Sequence, residues 1–248
     1  MKNSIILKNI TVQHNAKIAL DDISVSIPEG TFNACVGPNG SGKTTLIKTF
    51  LGLIKPSSGT IEVLGNLNSI PSEFIGYVPQ IKSHDLTFPA LAIELVASGL
   101  RRNWIGRIHK DEKSEALKAL DKINSAHLAN KQLSSLSGGE LQKIFLARVI
   151  IRKPKILLLD EPATGIDMVC ESNINEVILN MNKNEGVTVI MVTHDWEVAK
   201  HHTQSVLLLN KKIVCYGPPE IALSEEMLSQ AYAHYGHILH KHEGAAHV

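Results

Sequence analysis

Residues 37–44 read Gly-Pro-Asn-Gly-Ser-Gly-Lys-Thr and match the phosphate-loop pattern G-x-x-x-x-G-K-[ST]. The motif follows a short apolar segment, Phe32 to Val36, and opens a segment with helical spacing, Thr44 to Leu53. In that context the glycines let backbone N–H groups turn towards phosphate oxygens, and the helix dipole adds positive potential. A chance glycine-rich turn is the alternative, but the position between a strand and a helix favours a nucleotide site.

The loop contains candidate contacts to a nucleoside triphosphate and its metal ion. Lys43 can reach the β- and γ-phosphates, and the Thr44 hydroxyl can coordinate Mg²⁺. The nucleotide-binding residues predicted in this segment are Gly37, Pro38, Asn39, Gly40, Ser41, Gly42, Lys43, Thr44 and Thr45.

Hydrophobic periodicity divides the chain into a sheet-forming core and a helical insertion. Short β-branched or apolar runs fill the first 35 residues and recur over 155–209, where helical segments separate them. This predicts an α/β fold of the phosphate-loop NTPase type, with a mostly parallel sheet and an N-terminal antiparallel β region. Residues 81–154 have helical spacing and predict an inserted helical subdomain. The predicted nucleotide-binding domain spans 1–230, with its core in 1–80 and 155–230, and a His-rich tail, 231–248, follows it.

Composition excludes several other classes of protein. With 44% hydrophobic and 20% charged residues, the chain has the composition of a globular protein rather than a disordered one. A formal net charge of +1 gives no reason to expect a nucleic-acid partner. No apolar run approaches the ~18 residues that span a bilayer, and the start lacks the apolar stretch of a signal peptide. Because the three cysteines lack metal-like spacing, we expect no disulfide or zinc site in a soluble, cytosolic chain.

A pair of carboxylates, Asp160 and Glu161, follows the apolar run Ile156 to Leu159. A buried parallel strand would bring Asp160 to the carboxyl edge of the sheet beside the phosphate loop, where it can hold Mg²⁺ through water. Glu161 would then face the γ-phosphate and polarise the attacking water as a general base. Asp-Glu after a strand can also simply begin a turn, but the phosphate loop favours the catalytic interpretation.

Residues 136–140, Leu-Ser-Gly-Gly-Glu, precede a strongly patterned helix from Leu141 to Ile151. Ser137 is suited to cap that helix, and Gly138 and Gly139 permit close backbone approach, so the helix N-terminus is a candidate anion site. An ordinary capped helix is the alternative. Because one nucleotide already has its phosphate cradle at 37–44, a second anion site suggests contact with the nucleotide of another chain.

Five segments occur in the order of an ATP-binding-cassette (ABC) ATPase, and the chain resembles that family over nearly its whole length. They are the phosphate loop, Tyr77-Val78-Pro79-Gln80, Leu-Ser-Gly-Gly-Glu, Leu-Leu-Asp-Glu-Pro and Val192-Thr193-His194-Asp195. The signature at 136–140 is highly specific for the family. The resemblance implies a Mg²⁺-dependent ATPase that binds ATP and pairs head to tail with a second copy of itself.

The resemblance also implies roles for single residues. The signature residues 137–139 would contact the γ-phosphate of the partner's ATP. Gln80 resembles the glutamine that senses Mg²⁺ and the attacking water, and His194 resembles the histidine that contacts the γ-phosphate and orients Glu161. The catalytic residues implied are Glu161, His194, Gln80 and Lys43, and the Mg²⁺ ligands implied are Thr44, Gln80 and Asp160.

Two more positions are implied to lie near a nucleotide. Asp167, in Thr164-Gly165-Ile166-Asp167, matches the acid of a loop that crosses the dimer interface. Adenine commonly stacks in this family on an aromatic residue near the end of the first strand, and aligning Val12-Gln13-His14-Asn15 places His14 there. An exposed turn histidine, with adenine held elsewhere, is the alternative.

Within the family, the segment from Phe88 to Gly99 and the stretch Val206 to Tyr232 resemble the ATPases of zinc, manganese and iron uptake systems. That resemblance implies partner permease subunits, whose short cytoplasmic helix would enter a groove formed by residues 81–95. It also implies an extracytoplasmic metal-binding protein that acts through the permease, and a peripheral position at the cytoplasmic face of the membrane. An exporter ATPase and a non-transport ABC ATPase are the alternatives.

The tail contains His234, His237 and His240 at intervals of three residues, so they could share a metal-binding helix face. A solvated and unstructured tail is the alternative, and Gly236 disfavours a helix.

Overall fold

The computed structural model of the chain describes residues 2–15, 17–80, 89–101, 108–162 and 166–232, without the side chain of His14. Several predictions fall outside these residues: the tail histidines, Thr164, Gly165, adenine stacking by the His14 ring, and most of the groove proposed at 81–95. Within the described residues, no helix is long and apolar enough to cross a membrane.

The strands form two sheets. In chain order they are β1 (Asn3–His14), β2 (Lys17–Pro28), β3 (Phe32–Val36), β4 (Ser58–Val63), β5 (Asn66–Leu67), β6 (Ile75–Val78), β7 (Ile156–Asp160), β8 (Thr188–Val192), β9 (Ser205–Asn210) and β10 (Lys212–Gly217). The first sheet is antiparallel, in the order β2-β1-β4-β5. The second has the order β10-β9-β3-β8-β7-β6, and its strands are parallel except for β10. The predicted fold class is confirmed.

Both faces of the parallel sheet are buried, which explains why its strands are continuous apolar runs rather than alternating ones. Leu157 and Leu159 of β7 face one hydrophobic cluster, while Ile156 and Leu158 face the other, beneath the antiparallel sheet. Successive strand residues point to opposite faces, so β7 and β8 each contribute to both of these clusters.

Eight α-helices surround the sheets within the described residues. They are α1 (Lys43–Phe50), α2 (Ala92–Ala97), α3 (Lys110–Lys122), α4 (Gly138–Ile150), α5 (Met168–Glu185), α6 (Trp196–His202), α7 (Pro219–Ala222) and α8 (Glu225–Tyr232). Helices α2, α3 and α4 pack on one another, and their buried residues belong to the same hydrophobic cluster as Leu157 and Val189 of the sheet. The helical insertion therefore shares a core with the sheet, and the boundaries assigned to it stay a prediction.

The sequence patterns missed four peripheral elements: β5, β10, α7 and α8. Strand β10 lies at the sheet edge and is only partly buried, so its residues lack the strong apolar pattern of an interior strand. It joins β9 through Lys211, a non-glycine residue with φ +59°, which no turn motif in the sequence indicates.

Candidate nucleotide-binding and catalytic site

The carboxyl ends of four parallel strands meet at one edge of the larger sheet. Val78 of β6 pairs with Leu159 of β7, and Asp160 of β7 pairs with Val192 of β8, which in turn pairs with Cys35 of β3. The segments that follow these ends are the phosphate loop, Gln80, Glu161 and the Thr193-His194 turn. Strand register alone thus brings together side chains that are far apart in the sequence.

The phosphate loop is packed tightly on its inner side and open on its outer side. A methyl group at Gly37 would lie 2.0 Å from the Leu209 carbonyl oxygen, and one at Gly42 would lie 2.6 Å from the Ala19 carbonyl oxygen. Gly40 has φ +76°, and a methyl group there would meet nothing within 4 Å. The loop therefore has room for a ligand at Gly40, while Gly37 and Gly42 hold its backbone against β9 and β2.

Lys43 is folded back over this loop. Its Nζ donates to the carbonyl oxygens of Gly37 at 2.7 Å and of Pro38 at 2.9 Å. Burial lowers the pKa of Lys43, while the nearby charges of Glu161 and Asp160 act in the opposite direction. An ammonium group has three donors, so one N–H remains for a phosphate oxygen in this geometry.

Two observations fit a phosphate group with a divalent cation. The buried Ser41 hydroxyl inside the loop has no hydrogen-bond partner among the described residues, and such groups normally find one. The Asp160 carboxylate lies beside the Thr44 hydroxyl, and its pKa is raised by burial and by the nearby Glu161 charge and lowered by Lys43 and Thr44. A hydroxyl beside a buried carboxylate is the oxygen donor set that Mg²⁺ prefers.

Glu161 is held at both carboxylate oxygens by residues from neighbouring strand ends. Gln80 Nε2 donates to Glu161 Oε2 at 2.7 Å, and His194 Nε2 lies 2.6 Å from Glu161 Oε1. The Glu161 backbone has φ +50°, a left-handed conformation that costs a non-glycine residue on the order of 1–3 kcal/mol. Its N–H donates to the Val192 carbonyl at 3.0 Å, so β8 maintains this conformation and with it the direction of the side chain.

The turn that presents His194 is fixed by its two neighbours. Thr193 Oγ1 accepts from the Asp195 N–H at 2.9 Å, and Asp195 Oδ1 caps α6 by accepting from the N–H groups of Glu197 and Val198. This positioning role of Thr193 and Asp195 was not predicted from the sequence. The available signal was an aspartate directly before a helical segment, which is typical of an N-cap.

The signature begins α4 with a reciprocal capping box. Ser137 Oγ accepts from the Glu140 N–H at 3.2 Å, and the Ser137 N–H donates to Glu140 Oε2 at 2.9 Å. Gly138 is exposed, and a methyl group on it would meet nothing within 4 Å, whereas one on Gly139 would lie 2.7 Å from Cys170 Sγ. The open side of the signature is therefore at Ser137 and Gly138.

Cys170 links the signature to the start of α5. Its N–H donates to Asp167 Oδ1 at 2.9 Å, so the Asp167 carboxylate caps that helix. Cys170 was not predicted to have a role near the signature, because nothing in the local sequence indicates which glycine it will face.

The described structure therefore brings Lys43, Thr44, Asp160, Glu161, Gln80 and His194 to one sheet edge. Contact of Ser137, Gly138, Gly139 and Asp167 with another chain's nucleotide stays a prediction.

Comparison with known proteins identifies the family of the chain. The ABC transporter family model matches residues 20–164, which include the phosphate loop and the signature. The manganese transport system ATP-binding protein MntB of Listeria monocytogenes is 36% identical over 228 residues, 91% of this chain and 95% of its own length. The zinc import ATP-binding protein ZnuC of Photorhabdus laumondii is 35% identical over 238 residues, 95% of this chain and 86% of its own length.

Solved structures agree as well. A metal-chelate type ABC transporter in an inward-facing conformation superposes with a TM-score of 0.80 at 27% identity, covering 94% of this chain and 90% of its own. An ATP-binding cassette in a dimeric, post-hydrolysis state with ADP and Pi superposes with a TM-score of 0.74 at 26% identity, covering 87% of this chain and 98% of its own.

Fold and family together define a phosphate-loop ATPase, and its candidate site lies at the carboxyl ends of a parallel sheet. The chain belongs to the ABC transporter family. It is an ATP-binding, ATP-hydrolysing subunit of the ABC type.

Proposed function

We propose that this chain powers the uptake of a metal ion, or of a metal chelate, through partner permease subunits in a membrane. The observation behind its hydrolytic role is the Glu161 carboxylate, which Gln80 and His194 hold at the same sheet edge as the phosphate loop. The substrate class is inferred from the manganese and zinc relatives. The name of the zinc relative, an import ATP-binding protein, favours import over the exporter alternative.

The proposed mechanism follows from the positions of the chain's own side chains. Lys43 binds β- and γ-phosphate oxygens with the N–H that the loop carbonyls leave available. Glu161 accepts a proton from the attacking water, while Gln80 and His194 keep its carboxylate oriented. Thr44, Asp160 and Gln80 would hold Mg²⁺, which neutralises developing phosphate charge when bound.

We infer that two copies pair so that each signature faces the other copy's nucleotide. The solved cassette with ADP and Pi is dimeric, and the open side of the signature is suited to receive a phosphate. Beside Asp167, the apolar side chains of Met168 and Val169 are 85% and 73% exposed. Adjacent exposed apolar residues are typical of a surface that a partner covers.

Other parts of the proposal follow from the import role. An extracytoplasmic metal-binding protein would deliver the substrate to the permease, and the ATPase would lie peripherally at the cytoplasmic face of the membrane. The domain division at 81–154 and the adenine contact of His14 belong to the same proposal.

The first test is Glu161→Gln. A positioned general base contributes roughly 10²–10⁴-fold in rate, so ATPase activity should fall by about that factor while ATP binding persists. The variant should then form an ATP-dependent dimer that size-exclusion chromatography with light scattering can measure. Lys43→Ala is the matched control: it should lose ATP binding and therefore form no such dimer. Substantial hydrolysis by Glu161→Gln would contradict the assignment.

The substrate is tested separately with the permease and binding protein in proteoliposomes. We expect manganese, zinc or iron, supplied with the binding protein, to stimulate ATP hydrolysis and to accumulate across the membrane. Stimulation by a non-metal solute, with none by metals, would contradict the proposed substrate class while leaving the ATPase assignment intact.

A further inference from the structure

The signature of this chain carries a negative charge at the place where an anion is proposed to bind. Glu140 is the third residue of α4, one turn from the positive N-terminus that Ser137 caps. A carboxylate at this position stabilises its own helix, but it also opposes the approach of any second anion. The Ser137 N–H keeps the pKa of Glu140 below its usual value, and Lys131 adds to that effect, so the carboxylate remains charged.

A single cation lies against this carboxylate among the residues that the structure describes. Lys131 Nζ is 3.1 Å from Glu140 Oε1, while Oε2 accepts from the Ser137 N–H. The two oxygens thus have different partners, one in the cap and one in the ion pair.

The backbone of Lys131 is anchored to the start of α2. Its carbonyl accepts from the Ala92 N–H at 2.9 Å, and its own N–H donates to the Leu128 carbonyl at 2.9 Å. Gln132, the next residue, forms a β-bridge with Leu91. The Lys131 side chain therefore extends from a backbone segment that hydrogen bonds hold in place.

We propose that Lys131 is a positioning residue for ATP: its ammonium offsets the Glu140 charge, so that the signature of one copy can receive the triphosphate of a second copy. The inference rests on the proposed function, because it needs the signature to meet a nucleotide. Exposed ion pairs usually contribute little to folding, so the expected effect lies in nucleotide-dependent pairing rather than in stability.

The net charge of the Lys131–Glu140 pair predicts the relative ATP affinity of four proteins. The native pair is neutral, Lys131→Met leaves a net charge of −1, Glu140→Gln leaves +1, and the double variant is neutral again. Glutamine at the third helical position preserves the capping box, and methionine has an unbranched apolar side chain in place of lysine. The two single variants should therefore shift ATP affinity in opposite directions, and the double variant should return to the starting value.

The experiment measures the ATP concentration for half-maximal dimerisation by light scattering, with every variant placed in the Glu161→Gln background. Lys131→Met should raise that concentration roughly three- to tenfold, which corresponds to a charge at a helix terminus. Glu140→Gln should lower that concentration, whereas the double variant and Lys131→Arg should both match the background. Added salt should reduce the extra ATP that Lys131→Met needs for dimerisation, because screening weakens interactions between exposed charges.

Lys118→Met is the matched control, because it removes a lysine from an exposed ion pair with Glu115 on α3. It should leave the ATP dependence unchanged, and urea unfolding should show all variants folded. If the double variant needed as much ATP for dimerisation as Lys131→Met, or if Lys131→Met had no effect, this inference would be overturned while the proposed function stood. If the Glu161→Gln background itself formed no dimer with ATP, the proposed function and this inference would both fail.

Discussion

Two adjacent glycines of the signature have different surroundings, and alanine at each should have a different effect. A methyl group on Gly139 would lie 2.7 Å from Cys170 Sγ, whereas one on Gly138 would meet nothing within 4 Å. Gly139→Ala should therefore lower the free energy of unfolding by about 1–3 kcal/mol through overpacking. Gly138→Ala should leave stability equal or slightly higher, because alanine is the better helix former, yet weaken ATP-dependent dimerisation by filling space that a phosphate needs.

Urea unfolding and light scattering separate these two effects. Because the shortest contact at Gly139 is with Cys170 Sγ, while Cys170 Cβ is 3.2 Å away, Cys170→Ala in the Gly139→Ala protein should recover part of the lost stability. Equal destabilisation by both alanines, or full ATP-dependent dimerisation of Gly138→Ala, would contradict this interpretation of the signature.

At the scale of elements, the Glu112 carboxylate attaches the start of α3 to Arg101, which follows α2 in the chain. Glu112 Oε1 accepts from Arg101 Nε at 2.6 Å, Oε2 contacts Arg101 Nη2, and Oε2 also accepts from the His109 N–H at 2.7 Å. Chiefly because of the Arg101 bond, the pKa of Glu112 falls from 4.5 to about 2. A carboxyl group with a lowered pKa in the folded state adds stability above its unfolded pKa and loses it as the pH falls.

Glu112→Gln should therefore destabilise the protein at pH 7. The difference from the native protein should shrink as the pH falls from about 4.5 towards 2, the interval between the two pKa values. Chemical unfolding at a series of pH values measures this difference. Glu115→Gln on the same helix is the control and should show a smaller dependence, since Glu115 pairs with one exposed lysine. A loss of stability in Glu112→Gln that stays constant across this pH range would contradict the lowered pKa of Glu112.

At the scale of the whole molecule, head-to-tail pairing predicts complementation between two inactive chains. A Lys43→Ala chain retains its signature, and a Ser137→Arg chain retains its phosphate loop. Their heterodimer would contain one intact composite site and one doubly damaged site. Mixing the chains should therefore yield ATPase activity above that of either parent, if one intact site suffices.

Native mass spectrometry establishes whether heterodimers form in the mixture. Mixing Lys43→Ala with Glu161→Gln is the matched control: both lesions affect the same chain's half of a site, so each composite site stays damaged and no recovery is expected. Heterodimers of Ser137→Arg and Lys43→Ala without any recovery would contradict either a site shared between chains or the sufficiency of one intact site.

Local sequence was enough to predict the parallel sheet, the helical insertion and the candidate site segments. Buried parallel strands are continuous apolar runs, and the phosphate loop requires glycine and lysine at fixed spacing, so both have strong local signals. The strand Phe32–Val36 has the predicted bounds, and the helix after the loop ends at Phe50 rather than Leu53. Edge elements such as β10 were missed because partial burial leaves no comparable pattern.

Tertiary structure alone decided which side chains meet. Glu161 lies 81 residues from Gln80 and is joined to it only because β6 and β7 pair in register. The close approach of Gly139 to Cys170 likewise depends on packing between segments, which local spacing does not encode. The sequence by itself determined the kinds of residue in the candidate site and the elements that carry them. The paired strands and packed helices determined the distances between those side chains and their hydrogen-bond partners, because these arise from contacts between segments far apart in the chain.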